Sequence, residues 1–212
     1  MVARHSRKTP RFTSRFFATT AIACFAYALF ALLLLHVLRP DFAPASHMIS
    51  EYAIGRYGWV MTTCFLAMSC GCMMLLLGLA RSGPGSVVAW VGTILLGIPA
   101  IGLVVSAFFP MDSPGAPSTR SGEIHDNSFF VNVITIFLVT VLLSVGFGRH
   151  PRWRTFQRTA VLMSALIVVA FVLQFLTLHR GMPYGLANRF FFLVLTVWFF
   201  ATALRLRALA SE

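Results

Sequence analysis

Six long apolar runs dominate the chain, and a more polar connection separates each run from the next. The runs cover residues 16–38, 59–80, 87–109, 129–147, 159–178 and 190–206. About 20 apolar residues in a helix cross the roughly 30 Å hydrocarbon core of a bilayer. Because unpaired backbone groups are not tolerated in lipid, each run is predicted to be helical. The pattern therefore predicts an all-α, polytopic membrane protein, a bundle of about six transmembrane helices.

The first run is predicted to be a retained membrane helix, because it is longer than the ~7–15 apolar residues of a secretory signal. This gives three segments. Residues 1–15 form a basic N-terminal segment, residues 16–206 form the six-helix transmembrane domain, and residues 207–212 form a C-terminal tail.

Basic residues are distributed unevenly between the connections. The N-terminal segment, connections 81–86 and 148–158 and the C-terminus hold twelve of the seventeen lysines and arginines, and the other three connections hold five. The positive-inside rule therefore predicts that both termini are cytoplasmic, and we expect a multi-pass protein of a bacterial inner membrane. Five of the six acids fall on the other, outer side.

Composition supports a membrane protein over a soluble or nucleic-acid-binding one. Only 11% of residues are charged and the mean hydropathy is +0.82, whereas soluble domains carry about a quarter charged residues. The net charge of +11 is spread over short connections, and no basic stretch is long enough for a separate nucleic-acid-binding domain. We therefore expect membrane lipids as partners and no nucleic acid. The four cysteines lie within apolar runs and are interpreted as packing residues.

The first outer connection holds candidate ligand-binding side chains. Residues 46–52 include His47, Ser50 and Glu51. On an α-helix, His47 and Glu51 would share one face and could form a metal-ligand or acid–base pair. The alternative interpretation is a short interfacial helix that is capped by Ser46.

The second outer connection holds three more candidates. Pro110 ends the third helix and places Asp112 in the loop, while His125 and Asp126 directly precede the fourth apolar run. Asp126 or Asn127 is expected to cap that helix, since acids are favoured at helix N-termini. Capping would account for Asp126 without a ligand, but it leaves His125 unexplained.

The last outer connection holds Arg180 and Arg189 among glycine and proline turn residues. These arginines are candidates for contact with an anionic lipid headgroup, and an ordinary exposed loop is the alternative. Within the apolar runs, His36, Asn132 and Gln174 are polar. Polar groups inside a membrane either belong to a functional site or form hydrogen bonds between helices. The sequence Gly97-Ile98-Pro99 marks a kink or break in the third helix.

Convergence of His47, Glu51, Asp112 and His125 would provide the nitrogen and oxygen ligands of a zinc site with one open position. That arrangement would suit a membrane-embedded hydrolase. The sequence, however, contains neither His-Glu-x-x-His nor Gly-x-Ser-x-Gly. Zinc is therefore a cofactor hypothesis that no spacing motif supports.

Three short motifs resemble a known family. Ser50-Glu51-Tyr52, Phe109-Pro110-Met111-Asp112 and Gly122 with His125 are similar to the bacterial membrane family known as domain of unknown function 998. The resemblance covers most of the chain and implies a six-helix fold. It implies no activity and no catalytic residues.

Three hypotheses follow from the sequence. The leading one is a membrane protein whose outer polar site binds a lipid headgroup, a small solute or a metal. The second is a metal-dependent hydrolase that uses the four converging side chains. The third is a structural or partner-binding subunit without catalysis.

Overall fold

The structure, a computed structural model, describes residues 11–82, 85–179 and 182–212. It contains seven α-helices in this part of the chain: α1 Arg11–Leu38, α2 Gly58–Ser82, α3 Val87–Leu95, α4 Gly97–Phe108, α5 Arg120–Gly148, α6 Arg154–Leu176 and α7 Tyr184–Ser211. A short 3₁₀ helix, Ile49–Ala53, lies between α1 and α2. Six helical spans are long and apolar enough to cross a membrane, with α3 and α4 forming one of them. The predicted six-helix fold is confirmed.

The third span is broken at Leu96, where the sequence predicted a kink. The Leu96 backbone N–H bonds to the Thr93 carbonyl at 3.3 Å, a tighter turn than the α-helical pattern. Pro99 follows and lacks an N–H with which to continue the ladder. The break separates α3 from α4 within one membrane-spanning segment.

Two outer-side segments predicted to be loops are helical. Helix α5 begins at Arg120, and its N-cap Thr119 accepts a hydrogen bond from the Gly122 N–H at 3.2 Å. The prediction that Asp126 or Asn127 caps this helix is therefore wrong, since both lie beyond its first turn. Helix α7 likewise begins at Tyr184, which places Arg189 on a helix.

The connection after α1 also differs from its prediction. The 3₁₀ helix begins after Met48 rather than Ser46, and Glu51 Oε1 accepts the Met48 N–H at 2.7 Å. His47 precedes this helix, so His47 and Glu51 do not form the predicted pair on one α-helical face.

The six spans form a closed ring. Each span contacts the next along the chain, and α7 returns to contact α1. Close approach of α1 and α2 depends on Gly71, because a Cβ at this position would overlap the Phe25 ring. Phe25 in turn stacks on Phe199 of α7, with ring centroids 5.5 Å apart. Large apolar side chains are exposed around the outside, as expected for a surface in contact with lipid.

Candidate functional site

The two ends of the ring differ in chemistry. We call the end formed by connections 39–57 and 109–119 and by the α6–α7 connection the cavity end. The opposite end, which carries Arg81, Arg149, Arg154, Arg158 and Arg207, is called the basic end. The described residues that the sequence singled out in the outer connections lie at the cavity end.

The first cavity lies inside the ring and has a volume of about 120 Å³. Its wall comes from α2, α4, α5, α7 and the 3₁₀ helix, and consists mostly of Phe, Met, Leu, Ile and Val side chains. Five polar residues interrupt this apolar wall: Ser50, Ser106, His125, Asn132 and Asn188. An apolar wall with a few convergent polar groups is typical of a small-molecule site.

The second cavity lies between α5, α6 and the start of α7 and has a volume of about 240 Å³. Its polar residues are Ser50, His125, Asp126, Gln174 and Asn188. Two of its lining residues face outward: Phe130 of α5 is 58% exposed and Phe175 of α6 is 63% exposed. The second cavity therefore reaches the surface of the ring between α5 and α6.

The two cavities meet at a shared wall formed by Ser50, His125, Phe129 and Asn188. Helix α5 contributes His125 and Phe129 one turn apart, and α7 contributes Asn188. We call the two volumes and this shared wall the joined cavities.

His125 is buried, and its ring orientation is fixed from one side. Nδ1 lies 2.9 Å from the Phe109 carbonyl oxygen, which can only accept, so Nδ1 carries the proton. In the neutral ring, Nε2 is then a hydrogen-bond acceptor. The Phe109 carbonyl is free for this contact because α4 ends there and Pro110 cannot continue the helix.

Two buried amide oxygens on the cavity walls lack hydrogen-bond partners. They are Oδ1 of Asn132 in the first cavity and Oε1 of Gln174 in the second. A buried polar atom without a partner costs about 1–3 kcal/mol, so both side chains carry an unsatisfied acceptor. The Asn132 amide packs directly against Gly102 of α4. A Cβ added at Gly102 would overlap this amide.

Asn188 couples the shared wall to the 3₁₀ helix. Its Oδ1 accepts the Ile49 N–H at 2.9 Å. The next residue, Ser50, donates its hydroxyl to Met111 Sδ at 3.0 Å, a weak bond. These contacts connect α7, the 3₁₀ helix and the connection after α4 around the cavities.

Arg189 is a structural hub rather than a free cation. Its Nε donates to His36 Nε2 at 2.8 Å, and its NH2 donates to the Tyr52 hydroxyl at 3.1 Å. Its NH1 donates to the carbonyls of Pro44, His47 and Gly185 at 2.9, 2.6 and 3.0 Å. His36 Nδ1 lies 2.7 Å from the Leu32 carbonyl, so His36 Nε2 is the acceptor that Arg189 requires. The proposed headgroup contact would have to displace these partners.

A second arginine holds the same connection. Arg39 is buried, pairs with Asp41 at 2.8 Å and donates NH1 to the Ile54 and Arg56 carbonyls at 2.7 and 2.9 Å. Hydrogen bonding from Arg39 lowers the pKa of the exposed Asp41 carboxyl below its usual range. Arg39 and Arg189 together fix the connection that covers one side of the joined cavities.

Asp112 has a local structural role. Its carboxylate accepts the Thr119 N–H at 2.8 Å and the Thr119 hydroxyl at 2.7 Å. The backbone and then the side-chain hydrogen bond from Thr119 lower the pKa of Asp112. Asp112 and His125 therefore act on the same α4–α5 connection, but only His125 lines the cavities.

The other predicted site residues occupy different positions. Ser50 and Asp126 line the second cavity. Glu51 is buried with Oε2 unpartnered, but it does not contribute to the wall of either cavity. His47 Nδ1 contacts the Ser46 hydroxyl and the Ala43 carbonyl at 3.2 and 3.3 Å. Arg180 lies outside the described residues.

The zinc hypothesis required His47, Glu51, Asp112 and His125 to converge. Among residues 11–82, 85–179 and 182–212, the structure contains no group of three or more His, Cys, Asp or Glu side chains placed to hold a metal ion. Of the four side chains, His125 alone faces the joined cavities.

Sequence reasoning left out several cavity residues. Asn132 and Gln174 were noted as polar side chains within apolar runs but were not assigned to the site. Ser106 carries no signal among its apolar neighbours, since a single serine is common in membrane helices. Only the fold shows that these residues face the same space as His125.

The fold and site define a class: a polytopic helical membrane protein with joined, mostly apolar cavities at one end. Its family follows from comparison, since the profile described as "Protein of unknown function (DUF998)" matches residues 21–205. The chain therefore belongs to this family, and the resemblance inferred from the three motifs is confirmed. No curated protein and no solved structure matched the chain.

Proposed function

We propose that this protein binds an amphipathic membrane lipid in the joined cavities. The lipid enters from the bilayer between α5 and α6, and an apolar chain occupies the Phe- and Met-lined interior. Its polar head stays near Ser50, His125, Gln174 and Asn188. This proposal selects the lipid from the lipid, solute and metal ligands considered from the sequence.

The observation that carries the proposal is the opening of the second cavity onto the lipid-facing surface. Phe130 and Phe175 line the second cavity and are exposed on the outside of the ring. The second cavity shares a wall with the first, which lies among interior residues such as Met68 and Leu103. A lipid in the bilayer would thus meet an apolar route into the bundle that also offers hydrogen-bonding groups.

The mostly apolar composition of the cavity walls supports a lipid ligand over a small polar solute. A polar solute would have to leave water for a largely aromatic and aliphatic cavity, and unmatched polar groups are costly there. A lipid already has its chain in hydrocarbon, so moving the chain into the cavity involves little transfer cost. Neither catalysis nor a purely structural role is favoured by a specific contact at these walls.

Orientation forms part of the proposal. We infer that both termini are cytoplasmic and that the cavity end faces the outside of a bacterial inner membrane. Support comes from the twelve-to-five distribution of basic residues. The ligand would then be drawn from the outer leaflet.

Native mass spectrometry of the purified full chain in mild detergent tests lipid binding. Leu103→Trp fills the first cavity, whereas Ile101→Trp places the same side chain on the exposed side of α4. We expect a bound lipid on the wild type and on Ile101→Trp, and about tenfold less on Leu103→Trp, a change equivalent to ~1.4 kcal/mol. Equal lipid occupancy in the three proteins would contradict binding in the joined cavities.

A further inference from the structure

We infer that the lipid bound in the joined cavities has an uncharged, hydroxyl-bearing head rather than a phosphate head. This inference rests on the proposed function and specifies the chemical class of the ligand. It follows from the hydrogen-bonding groups and the charges of the described residues that line the cavity walls.

Among the described residues, the cavity walls provide no lysine or arginine for an anionic head. Neither Arg nor Lys lines either cavity in the described part of the chain, and the ionisable groups on the walls are His125 and Asp126. The closest arginine along α7, Arg189, already uses Nε, NH1 and NH2 on five protein acceptors. A phosphate would lie beside the like-charged Asp126 carboxylate, with no lysine or arginine of the described wall residues to offset the repulsion.

The walls instead provide acceptors that need donors. Oε1 of Gln174 is buried without a partner, and in the neutral ring His125 Nε2 accepts because Nδ1 donates to the Phe109 carbonyl. Asp126 adds a carboxylate at the rim of the second cavity. A ligand head with at least one N–H or O–H donor would satisfy these atoms.

A hydroxyl fits these groups better than an ammonium. Asp126 is exposed and partly solvated, so its carboxylate cannot compensate fully for burying an ammonium ion. A hydroxyl both donates and accepts, so it can pair with an amide oxygen and an amide N–H of Gln174 or Asn188. A hydroxyl can therefore form a hydrogen bond with these side-chain amides whichever way their oxygen and nitrogen are assigned.

A series of lipids with identical chains tests the head chemistry. The purified protein is titrated with dioctanoylglycerol, with its deoxy analogue dioctanoyl-propanediol and with dioctanoyl phosphatidic acid, and binding is measured by native mass spectrometry. We expect dioctanoylglycerol to bind about tenfold more tightly than the other two, because it alone has an uncharged head with a hydroxyl to donate to the wall acceptors. Gln174→Leu should reduce this preference, and Asn127→Leu, an exposed site on α5 outside the cavity walls, should retain it.

The outcomes separate the inference from the proposed function. Equal binding of the three lipids, or tightest binding of phosphatidic acid, would overturn the hydroxyl inference and leave lipid binding standing. Binding of none would contradict both proposals. An unchanged preference in Gln174→Leu, or an equal loss in Asn127→Leu, would contradict recognition of the head by the second cavity.

Discussion

The carboxylate of Asp112 lies directly against Gly122, so a Cβ added at residue 122 would overlap Asp112 Oδ2. Asp112 follows the end of α4 and Gly122 lies in the first turn of α5. Their contact, with the two hydrogen bonds from Thr119, closes the α4–α5 connection. This connection also positions the Phe109 carbonyl that orients His125.

Gly122→Ala should therefore destabilise the protein. The methyl group would push the Asp112 carboxylate away from Thr119, and overpacking of this kind costs about 1–3 kcal/mol. Gly97→Ala is the matched control, because a Cβ there meets only a Leu76 methyl at an ordinary 3.6 Å. Thermal melting in detergent should show a lower midpoint for Gly122→Ala and an unchanged or higher one for Gly97→Ala. Equal midpoints would contradict the proposed role of the Asp112–Gly122 contact.

The hydrogen bonds to Asp112 also predict a pH dependence. Because Thr119 lowers the pKa of Asp112 below its ordinary value of 3.8, the ionised carboxylate stabilises the fold at neutral pH. This contribution is lost as the pH falls below 3.8 and through the pKa of the folded protein. Asp112→Asn should therefore melt below the wild type at pH 7, and the difference should shrink in acid. A difference that stays constant from pH 7 to pH 3 would contradict this account.

Hydropathy alone predicted the six spans, because crossing a bilayer imposes a length and an apolar composition on each helix. The starts of α5 and α7 were not predicted, since Glu123, His125 and Arg189 are polar residues that a hydropathy criterion assigns to loops. These helices extend beyond the apolar run through local contacts, such as the cap by Thr119. The polar residues His125 and Asn188 therefore lie on ordered helix, in the second turns of α5 and α7, where they line both cavities.

The hub around Arg189 predicts that Arg189→Lys is not a conservative change. A lysine ammonium cannot reproduce the planar fork that contacts His36, Tyr52 and three carbonyls. Loss of these bonds should destabilise the fold by about 2 kcal/mol or more, since hydrogen bonds to a charged group contribute ~1.5–3 kcal/mol. Arg158→Lys, at an exposed position of the basic end, is the control. Stability can be measured by chemical denaturation in detergent. Equal stability of the two variants would contradict a stabilising role for the Arg189 hydrogen bonds.

The orientation predicts the location of reporter fusions. Fusions after Glu212 and within residues 149–158 should report cytoplasm, and fusions within residues 113–118 should report the outer side. The physical reason is the retention of basic connections on the cytoplasmic side during insertion. The reverse pattern of reporter activity would place the cavity end in the cytoplasm.

The candidate site could be predicted only in part. The motifs pointed to His125 and Ser50, which line both cavities. They also pointed to Asp112 and Glu51, whose partners are local backbone groups. Sequence spacing cannot distinguish a residue that lines a cavity from one that bonds to nearby backbone. The distinction depends on how the helices close into a ring and on which residues of each turn face the interior of that ring. The positions of Asn132 and Gln174 on the cavity walls depend on the same tertiary arrangement.

Site-resolved photocrosslinking measures directly whether a lipid enters the bundle. The full chain is incubated in bilayers with a diacylglycerol that carries a diazirine in one acyl chain, irradiated, and digested for mass spectrometry. Met68 and Leu75 both lie on α2 and are 2% and 0% exposed, but only Met68 lines the first cavity. The account predicts adducts on Met68 and none on Leu75. Adducts confined to exposed residues such as Val87 and Leu33, with Met68 unmodified, would contradict lipid binding in the joined cavities.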